Sequence, residues 1–202
     1  HPYQNITSGL EHAVDGDTIF VFNGTYYENV VANKLVSLLG ENMATTIIDG
    51  GTVGTVVSIT VDGVNVTGFT MRNSGSISAG IDLSSASHCN ISGNNIAEND
   101  YGIYLYDSSN NSISGNKITA NSLVGIYLYD SSNNSISGNN IANNWYGIIL
   151  EYFSNYNIIS GNNITNNGGG IWLFDSSNTN NVSGNNITNN SGNGIWVGYS
   201  SN

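Results

Sequence analysis

The chain of 202 residues contains 36 Asn, 27 Ser and 25 Gly, and its 14 acidic and three basic residues give a formal net charge of −11. Three basic residues are too few to neutralise the phosphates of a nucleic acid or the surface of an anionic membrane, which excludes both as partners. A content of 39% hydrophobic and 10% aromatic residues excludes disorder, and no apolar run is long enough for membrane insertion.

A helical pattern is confined to the N-terminus. Apolar residues recur there at the spacing of an amphipathic helix, at Ile6, Leu10, Ala13 and Val14. The turn signal Asp15-Gly16 ends the pattern. We predict a short capping helix within residues 1–16, where it covers the unpaired strand edges of the structure that follows.

Short apolar segments in residues 17–79 follow the period of a strand without a regular repeat. We predict them as strands of degenerate coils, at residues 18–22, 35–39, 46–48 and 56–59. Residues 65–71 already have the register of the repeat that follows.

Residues 80–202 consist of regular repeats. The phrase Gly-Asn-x-Ile recurs every 22 or 23 residues, from Gly93, Gly115, Gly138, Gly161 and Gly184. Apolar and polar residues alternate around it, and a unit this short buries its apolar side only by stacking on its neighbours. We predict an all-β fold, a single-stranded right-handed parallel β-helix of about eight coils of 22–25 residues with a short N-terminal capping helix. It forms one domain over residues 1–202.

Asparagine recurs at two fixed positions of the repeat. The two sets are Asn94, Asn116, Asn139, Asn162 and Asn185, and Asn99, Asn121, Asn144, Asn167 and Asn190. We predict that their amides hydrogen-bond from coil to coil and that these residues take the left-handed conformation of sharp corners.

Two stretches resemble the opening of a known family. Residues 15–30 read Asp-Gly-Asp-Thr-Ile-Phe-Val-Phe-Asn-Gly-Thr-Tyr-Tyr-Glu-Asn-Val, and residues 34–41 read Lys-Leu-Val-Ser-Leu-Leu-Gly-Glu. These stretches and the repeats resemble NosD-like, or pectate-lyase-like, right-handed parallel β-helix proteins, a group that includes lyases, hydrolases, adhesins and surface-layer components. The Asn-rich repeats look most like archaeal cell-surface proteins. The resemblance therefore implies export to an extracellular location, with the signal peptide removed.

The resemblance implies calcium-binding carboxylates and a basic residue if the chain is a sugar lyase. The acidic candidates are expected on the turn after the first strand of each unit, at Asp82, Asp107, Asp130, Glu151 and Asp175. Arg72 and Lys117 are the candidate bases, although they lie on other coils or strands. Asp-Ser-Ser-Asn recurs at Asp107, Asp130 and Asp175, and a catalytic residue has no reason to recur. We therefore predict turn residues there, with calcium as the weaker alternative, and we expect no enzymatic activity and no cofactor.

The NosD resemblance also implies copper, which Cys, His and Met side chains bind. The chain offers His1, His12, Met43, Met71, His88 and Cys89. Only His88 and Cys89 are neighbours, and adjacent strand residues point to opposite faces. We therefore predict no metal site. As the one cysteine of the chain, Cys89 cannot form an internal disulfide.

Aromatic residues recur at outward positions of the first strand of each unit. They are Tyr104, Tyr106, Tyr127, Tyr129, Trp172, Phe174 and Trp196. Such a stripe has three interpretations, which are stabilisation of the sheet, contact between subunits and glycan binding.

Ten Asn-x-Ser/Thr sequons are possible glycosylation sites in an exported protein. They begin at Asn5, Asn23, Asn65, Asn90, Asn110, Asn133, Asn163, Asn181, Asn186 and Asn189.

The sequence leads to two hypotheses about function. Residues 194–197 begin a regular coil without a polar capping unit after it, which favours an extracellular structural protein that assembles head to tail into a filament, sheath or surface layer. The alternative is a carbohydrate-binding or polysaccharide-cleaving β-helix module. The first hypothesis has the chain itself as partner, and the second has glycans.

Overall fold

The computed structural model describes residues 3–199. In this range the helix is α1 (Ile6–His12), which is too short to cross a membrane, and none of the described residues forms a spanning helix. The strands are, in chain order, β1 (Thr18–Val21), β2 (Gly24–Tyr27), β3 (Val30–Ala32), β4 (Ser37–Gly40), β5 (Thr46–Asp49), β6 (Val57–Ile59), β7 (Asn65–Thr67), β8 (Thr70–Arg72), β9 (Ala79–Ser84), β10 (Asn90–Ser92), β11 (Asn95–Ala97), β12 (Tyr101–Tyr106), β13 (Ser112–Ser114), β14 (Lys117–Thr119), β15 (Val124–Tyr129), β16 (Ser135–Ser137), β17 (Asn140–Ala142), β18 (Tyr146–Glu151), β19 (Ile158–Ser160), β20 (Asn163–Thr165), β21 (Gly169–Phe174), β22 (Asn181–Ser183), β23 (Asn186–Thr188) and β24 (Ile195–Gly198).

Each successive trio of strands makes one coil and adds one strand to each of three parallel sheets. Sheet A consists of β1, β4, β7, β10, β13, β16, β19 and β22; sheet B of β2, β5, β8, β11, β14, β17, β20 and β23; and sheet C of β3, β6, β9, β12, β15, β18, β21 and β24. Residues 3–199 therefore form a parallel β-helix of eight coils, which confirms the predicted fold.

The core is a set of stacked side-chain columns. Ile103 pairs with Ile81 of the preceding coil, and both are fully buried. Three further columns are in register, in sheet C through Leu105, in sheet A through Ile113 and in sheet B through Ile118. Because each buried side chain of this size contributes about 1.5–3 kcal/mol, the columns are a principal source of stability.

The predicted asparagine ladders connect consecutive coils inside the solenoid. The Asn116 backbone N–H donates to Asn139 Oδ1 at 2.9 Å, and its Nδ2 donates to the Ile91 carbonyl at 2.9 Å and to Asn139 Oδ1 at 3.0 Å. The same pattern recurs from Asn94 to Asn162. The amides thus satisfy the backbone N–H groups of the corners, such as that of Asn116, and also donate to carbonyls of neighbouring strands, such as that of Ile91.

Two more ladders, which the sequence analysis missed, follow the same geometry at the corner between sheets C and A. One is made of Asn111, Asn134, Asn157 and Asn180. The other is made of Ser108, Ser131, Ser154 and Ser177. Every corner of the regular coils therefore has its own stack of inward polar side chains.

The left-handed residue of each corner is the one before the ladder residue. Gly115 (φ 63°) precedes Asn116, and Ala120 (φ 58°) precedes Asn121. The prediction that the ladder asparagines themselves take this conformation is therefore wrong. The left-handed residues are exposed, whereas a ladder amide must point inward to reach the coils on both sides.

The N-terminal helix covers the first coil, as predicted, and packs against β1 and β3. Its Asn5 cap accepts from the Ser8 N–H at 2.8 Å. Lys34 Nζ donates to the carbonyls of Leu10, Glu11 and Ala13, each at 2.8 Å, at the negative end of the helix dipole. The helix ends at His12, earlier than predicted, and Val14 is exposed rather than packed.

The degenerate coils contain the four predicted strands, which are β1, β4, β5 and β6 with boundaries shifted by one or two residues. Two further strands, β2 and β3, were not predicted. The reason for β2 is visible in its burial, because its four residues are exposed or half-buried and give no apolar alternation.

Asn139→Ala tests the ladder. Asn139 is 1% exposed; it accepts from the N–H and Nδ2 of Asn116 and donates to Ile113 O and Asn162 Oδ1. The substitution leaves the Asn116 N–H without its acceptor. Because a buried polar group left without a partner costs about 1–3 kcal/mol, we expect the free energy of unfolding to fall by about that amount in chemical denaturation.

Asn140→Ala is the matched control. Asn140 is the next residue, but it is exposed and accepts one surface hydrogen bond, from Asn163. We expect its free energy of unfolding to change by less than about 0.5 kcal/mol. Equal losses in the two variants would contradict a specific role for the inward amide.

Candidate functional site

The outward side chains of β9, β12, β15, β18, β21 and β24 form a surface that we call the aromatic face. The strand register arranges the predicted aromatic residues in two rows. The first is Asp82, Tyr104, Tyr127, Ile149, Trp172 and Trp196, and the second contains Ser84, Tyr106, Tyr129 and Glu151, with Phe174 beside Gly198 in the last two strands.

The rings of the aromatic face stack along the helix axis. Tyr104 stacks on Tyr127 with centroids 5.1 Å apart, and Tyr106 stacks on Tyr129 at 5.7 Å with 13° between the planes. Each such pair stabilises the sheet by about 0.2–1 kcal/mol. Stacked rings cover one another's faces, so the interior of the stack presents ring edges and hydroxyl groups to solvent.

The aromatic surface continues around the corner toward sheet A, beyond the predicted residues. Tyr152 stacks on Tyr129 with centroids 4.9 Å apart and planes within 7°. We call Tyr152, Phe153, Tyr156 and Ile158 together the aromatic corner. Their side chains are 41%, 49%, 61% and 46% exposed, respectively. Exposed apolar groups gathered in one place mark an interaction surface.

The aromatic corner interrupts the repeat, and this interruption is the signal that the sequence analysis overlooked. Two left-handed residues, Tyr152 (φ 51°) and Phe153 (φ 56°), precede the ladder residue Ser154, and the next coil has such a pair before Ser177, but there the two residues are polar. In the preceding coil, Asp130 alone precedes Ser131. Residues that depart from a strict repeat are free of its structural constraints and can serve function.

Asp82 lies within β9 and not on a turn, which corrects the prediction. Its Oδ2 accepts from Ser84 Oγ at 3.2 Å, and its buried Oδ1 has no hydrogen-bond partner among residues 3–199. Burial raises the pKa of Asp82, against the opposing hydrogen bond from Ser84. Burial and the nearby Asp82 charge in turn raise the pKa of Tyr104 to about 12.

Glu151 also lies within a strand, β18, and not on the predicted turn. Its Oε2 accepts a hydrogen bond from the Tyr127 hydroxyl. Burial and then this hydrogen bond raise the pKa of Tyr127. The phenol therefore stays protonated and holds the carboxylate within the aromatic face.

Asp82 and Glu151 are too far apart for a glycosidase pair. They lie on β9 and β18, three strand spacings apart in sheet C, or about 14 Å at about 4.8 Å per strand. Inverting and retaining glycosidases place their two carboxyl groups about 5–9.5 Å apart. This geometry does not support hydrolysis by the two residues together.

The three repeated aspartates sit at exposed left-handed corners beside the aromatic face. Asp107 (φ 47°), Asp130 (φ 47°) and Asp175 (φ 52°) begin the turn after β12, β15 and β21. Among the residues that the structure describes, no three His, Cys, Asp or Glu side chains converge on a point that could hold a metal ion. Asp107 accepts from Ser85 Oγ at 3.2 Å, as a turn residue does.

The candidate bases lie away from the aromatic face. Arg72 Nε pairs with Asp49 Oδ2 at 2.9 Å between strands of sheet B. Burial acts to raise the pKa of Asp49, but hydrogen bonds from Asn73, Gly51 and Arg72 together lower it. Lys117 is exposed on β14, also in sheet B. Neither side chain is positioned to take a proton from a ligand on sheet C.

These features define the chain as a parallel β-helix protein with an aromatic surface along one sheet. The family described as "periplasmic copper-binding protein (NosD)" matches residues 10–202, and the chain belongs to that family. No curated protein sequence matches the chain.

Solved structures share the fold at low sequence identity. A pectin methylesterase in complex with a hexasaccharide is 12% identical, with a TM-score of 0.61 over 96% of this chain and 76% of that one. An alginate lyase from Paenibacillus sp. is 15% identical, with a TM-score of 0.56 over 98% and 96%. The catalytic domain of a GH87 α-1,3-glucanase is 14% identical, with a TM-score of 0.68 over 91% and 40%. These likenesses show the right-handed parallel β-helix fold and nothing of activity.

The potential copper ligands of this chain do not fit a copper site. The Cys89 thiol is buried and donates to the carbonyls of Ser87 at 3.5 Å and Val61 at 3.6 Å, and burial raises its pKa, which opposes the thiolate that copper binds. Met71 is fully buried in the core, whereas His88 is exposed at a corner.

The remaining two described candidates also lie apart. His12 is engaged with the Ser8 carbonyl on α1, and Met43 is exposed in the turn before β5. His1 lies outside the described residues.

Asp82→Asn tests the buried carboxyl. The pKa of Asp82 is raised in the folded chain. Its contribution to the free energy of unfolding is therefore fully present below the unfolded-state pKa of about 3.9 and is lost as the pH rises through the folded-state pKa. The neutral amide avoids this loss. We expect D82N to increase the free energy of unfolding at pH 7 by about 1 kcal/mol and to have no effect below about pH 3, as measured by urea denaturation.

Asp107→Asn serves as the control, since this carboxylate is exposed at the neighbouring corner. It should change the free energy of unfolding by less than about 0.5 kcal/mol at both pH values. A gain in D82N that is the same at low and neutral pH would refute the desolvation argument.

Proposed function

We propose that this protein binds a polysaccharide along the aromatic face. The observation that carries the proposal is the continuous surface of tyrosines from Tyr106 through Tyr129 to Tyr152, which leads into the exposed aromatic corner. Sheet stabilisation accounts for stacked pairs within the sheet. It does not account for Phe153 and Tyr156, which project from a corner that is polar in the other regular coils.

The chemistry of the surface suits sugars. The exposed rings of Phe153 and Tyr156 can pack against the apolar C–H groups of a pyranose. The hydroxyls of the stacked tyrosines and the carboxylates exchange hydrogen bonds with the sugar hydroxyl groups. Glu151 and Asp82 supply acceptors inside the aromatic face, and the Tyr127 hydroxyl fixes the position of Glu151. An extended polymer can contact several coils at once.

The comparisons support this proposal over a structural role. The solved structures with the same fold carry names of proteins that act on polysaccharides, and one is described with a bound hexasaccharide. This support is analogy at the level of the fold. We propose binding and not cleavage, because Asp82 and Glu151 are about three strand spacings apart and Arg72 is paired with Asp49.

Location, glycosylation and self-assembly remain predictions from the sequence. The periplasmic description of the family supports a location outside the cytoplasm, whereas the archaeal cell-surface type is an expectation. Of the sequon residues, Asn110, Asn133 and Asn189 are exposed at left-handed corners, where an attached glycan would meet least obstruction. Head-to-tail assembly into a filament or surface layer is checked by sedimentation of the purified protein.

The double variant Tyr106→Ala/Tyr129→Ala tests the proposed surface. The full chain is screened against a panel of neutral, acidic and basic polysaccharides by affinity electrophoresis, and the strongest ligand is titrated by calorimetry. Because each aromatic contact contributes about 0.5–1.5 kcal/mol, we expect the double variant to bind at least about tenfold more weakly.

Ser114→Ala/Ser137→Ala is the matched control, because these outward side chains occupy equivalent positions on sheet A. This variant should bind as the unmodified chain does. Circular dichroism shows whether both variants keep the fold. The proposal would be overturned if the unmodified chain bound no polysaccharide of the panel. It would also be overturned if the tyrosine double variant and the serine control bound equally well.

A further inference from the structure

We propose that the polysaccharide on the aromatic face is an amino-sugar polymer with free ammonium groups, which lies parallel to the helix axis. This inference rests on the proposed function and specifies its ligand. It follows from the distribution of charge over the face and from the spacing of the coils.

The aromatic face is acidic from within and along both edges. Asp82 and Glu151 lie inside it. Asp100 lies at one edge of the face, at the corner before β12. Asp107 and Asp130 lie at the opposite edge, directly after β12 and β15. These carboxylates repel an acidic polymer and attract a cationic one at close range.

The basic residues of the chain do not offset this charge on the face. Lys34 is held by three carbonyls at the end of α1, and Arg72 is paired with Asp49 in sheet B. Lys117 projects from β14 on sheet B, a different side of the solenoid. With a formal net charge of −11 on the whole chain, the long-range field adds to the local preference for a cation.

The combination of tyrosine and carboxylate selects an ammonium group over a neutral substituent. An ammonium donates charge-assisted hydrogen bonds to carboxylates, which are about twice as strong as neutral ones. Its N–H groups also donate to the tyrosine hydroxyls at the edges of the stacked rings. Asp107 and Asp130 directly follow Tyr106 and Tyr129 in the sequence, so each of these rungs offers a tyrosine and a carboxylate side by side.

The spacing of the coils sets the orientation. Neighbouring strands of sheet C repeat at about 4.8 Å, which is close to the length of one sugar in an extended β-1,4-linked chain. A polymer parallel to the axis therefore keeps step with the rungs and meets Asp107, Asp130 and Glu151 on consecutive coils. A polymer that ran along the strand direction would follow the six residues of one strand and meet the carboxylates of about one coil.

The test compares four soluble probes by calorimetry with the full chain. They are the hexamers of glucosamine, N-acetylglucosamine and galacturonic acid, and pentalysine as a cation without sugar. The pH is kept below the pKa of the sugar amines and above that of exposed carboxylates. We expect the glucosamine hexamer to bind at least about tenfold more tightly than each of the other probes, with affinity that falls when NaCl is raised from about 0.05 to 0.5 M. Affinity should also increase from dimer to hexamer as more rungs are engaged.

Asp107→Asn/Asp130→Asn removes two edge charges and keeps residues that tolerate the left-handed corner. It should weaken binding of the glucosamine hexamer at least about fivefold. Glu11→Gln/Glu41→Gln is the control with the same net charge, since Glu11 lies on α1 and Glu41 follows β4 of sheet A. The control should bind as the unmodified chain does.

The outcomes separate this inference from the proposed function. Preference for the galacturonic or N-acetylated hexamer that depends on Tyr106 and Tyr129 would overturn the inference and leave polysaccharide binding intact. Equal binding of pentalysine, or equal losses in the two charge variants, would reduce the effect to net charge and overturn the inference as well. Failure of every probe and every polysaccharide of the panel to bind would overturn both.

Discussion

Inward-facing amides at the corners are the constraint on which the rest of the structure depends. At each corner the chain leaves one sheet and enters the next, so backbone groups such as the Asn116 N–H lie between strands and have no strand partner. Ladder side chains satisfy them from the adjacent coil. Because each unsatisfied buried group costs about 1–3 kcal/mol, each regular coil places an amide at the same point, and this requirement holds the regular repeat at 22 or 23 residues.

A solenoid with a fixed repeat turns its outward residues into rows. Once the inward positions repeat, an outward residue in one strand lies beside its equivalent in the next, as Tyr104 lies beside Tyr127. Stacking is therefore the expected state of any repeated aromatic residue. A functional surface is better recognised where the outward pattern changes while the ladders continue, and residues 152–158 are such a place, since Ser154 and Asn157 keep their inward bonds.

The parts that the sequence predicted are those that the repeat dictates. The Ile and Leu columns, the asparagine ladders and the rows of the aromatic face all follow from aligning the units, since parallel register places equivalent residues side by side. The left-handed conformation was assigned to the ladder asparagine and not to the residue before it. The tolerance of asparagine for this conformation does not indicate which of two adjacent residues points inward. Asp82 and Glu151 were placed on turns because the first strand is six residues long, longer than the apolar alternation indicates. Strand β2 was missed because its residues remain largely exposed.

The NosD family match depends on the inward residues of the solenoid, whereas the aromatic face consists of outward residues. The family match and the shared fold follow the coil, which is determined by inward residues, whereas a ligand meets only outward ones. In this chain the sulfur atoms of Cys89 and Met71 are part of the inward layer and are occupied in packing or backbone hydrogen bonds. The outward layer of sheet C carries tyrosine, tryptophan and carboxylate instead. The chemistry that a β-helix performs must therefore be derived from the outward side chains of each chain, and here they are suited to an extended sugar polymer.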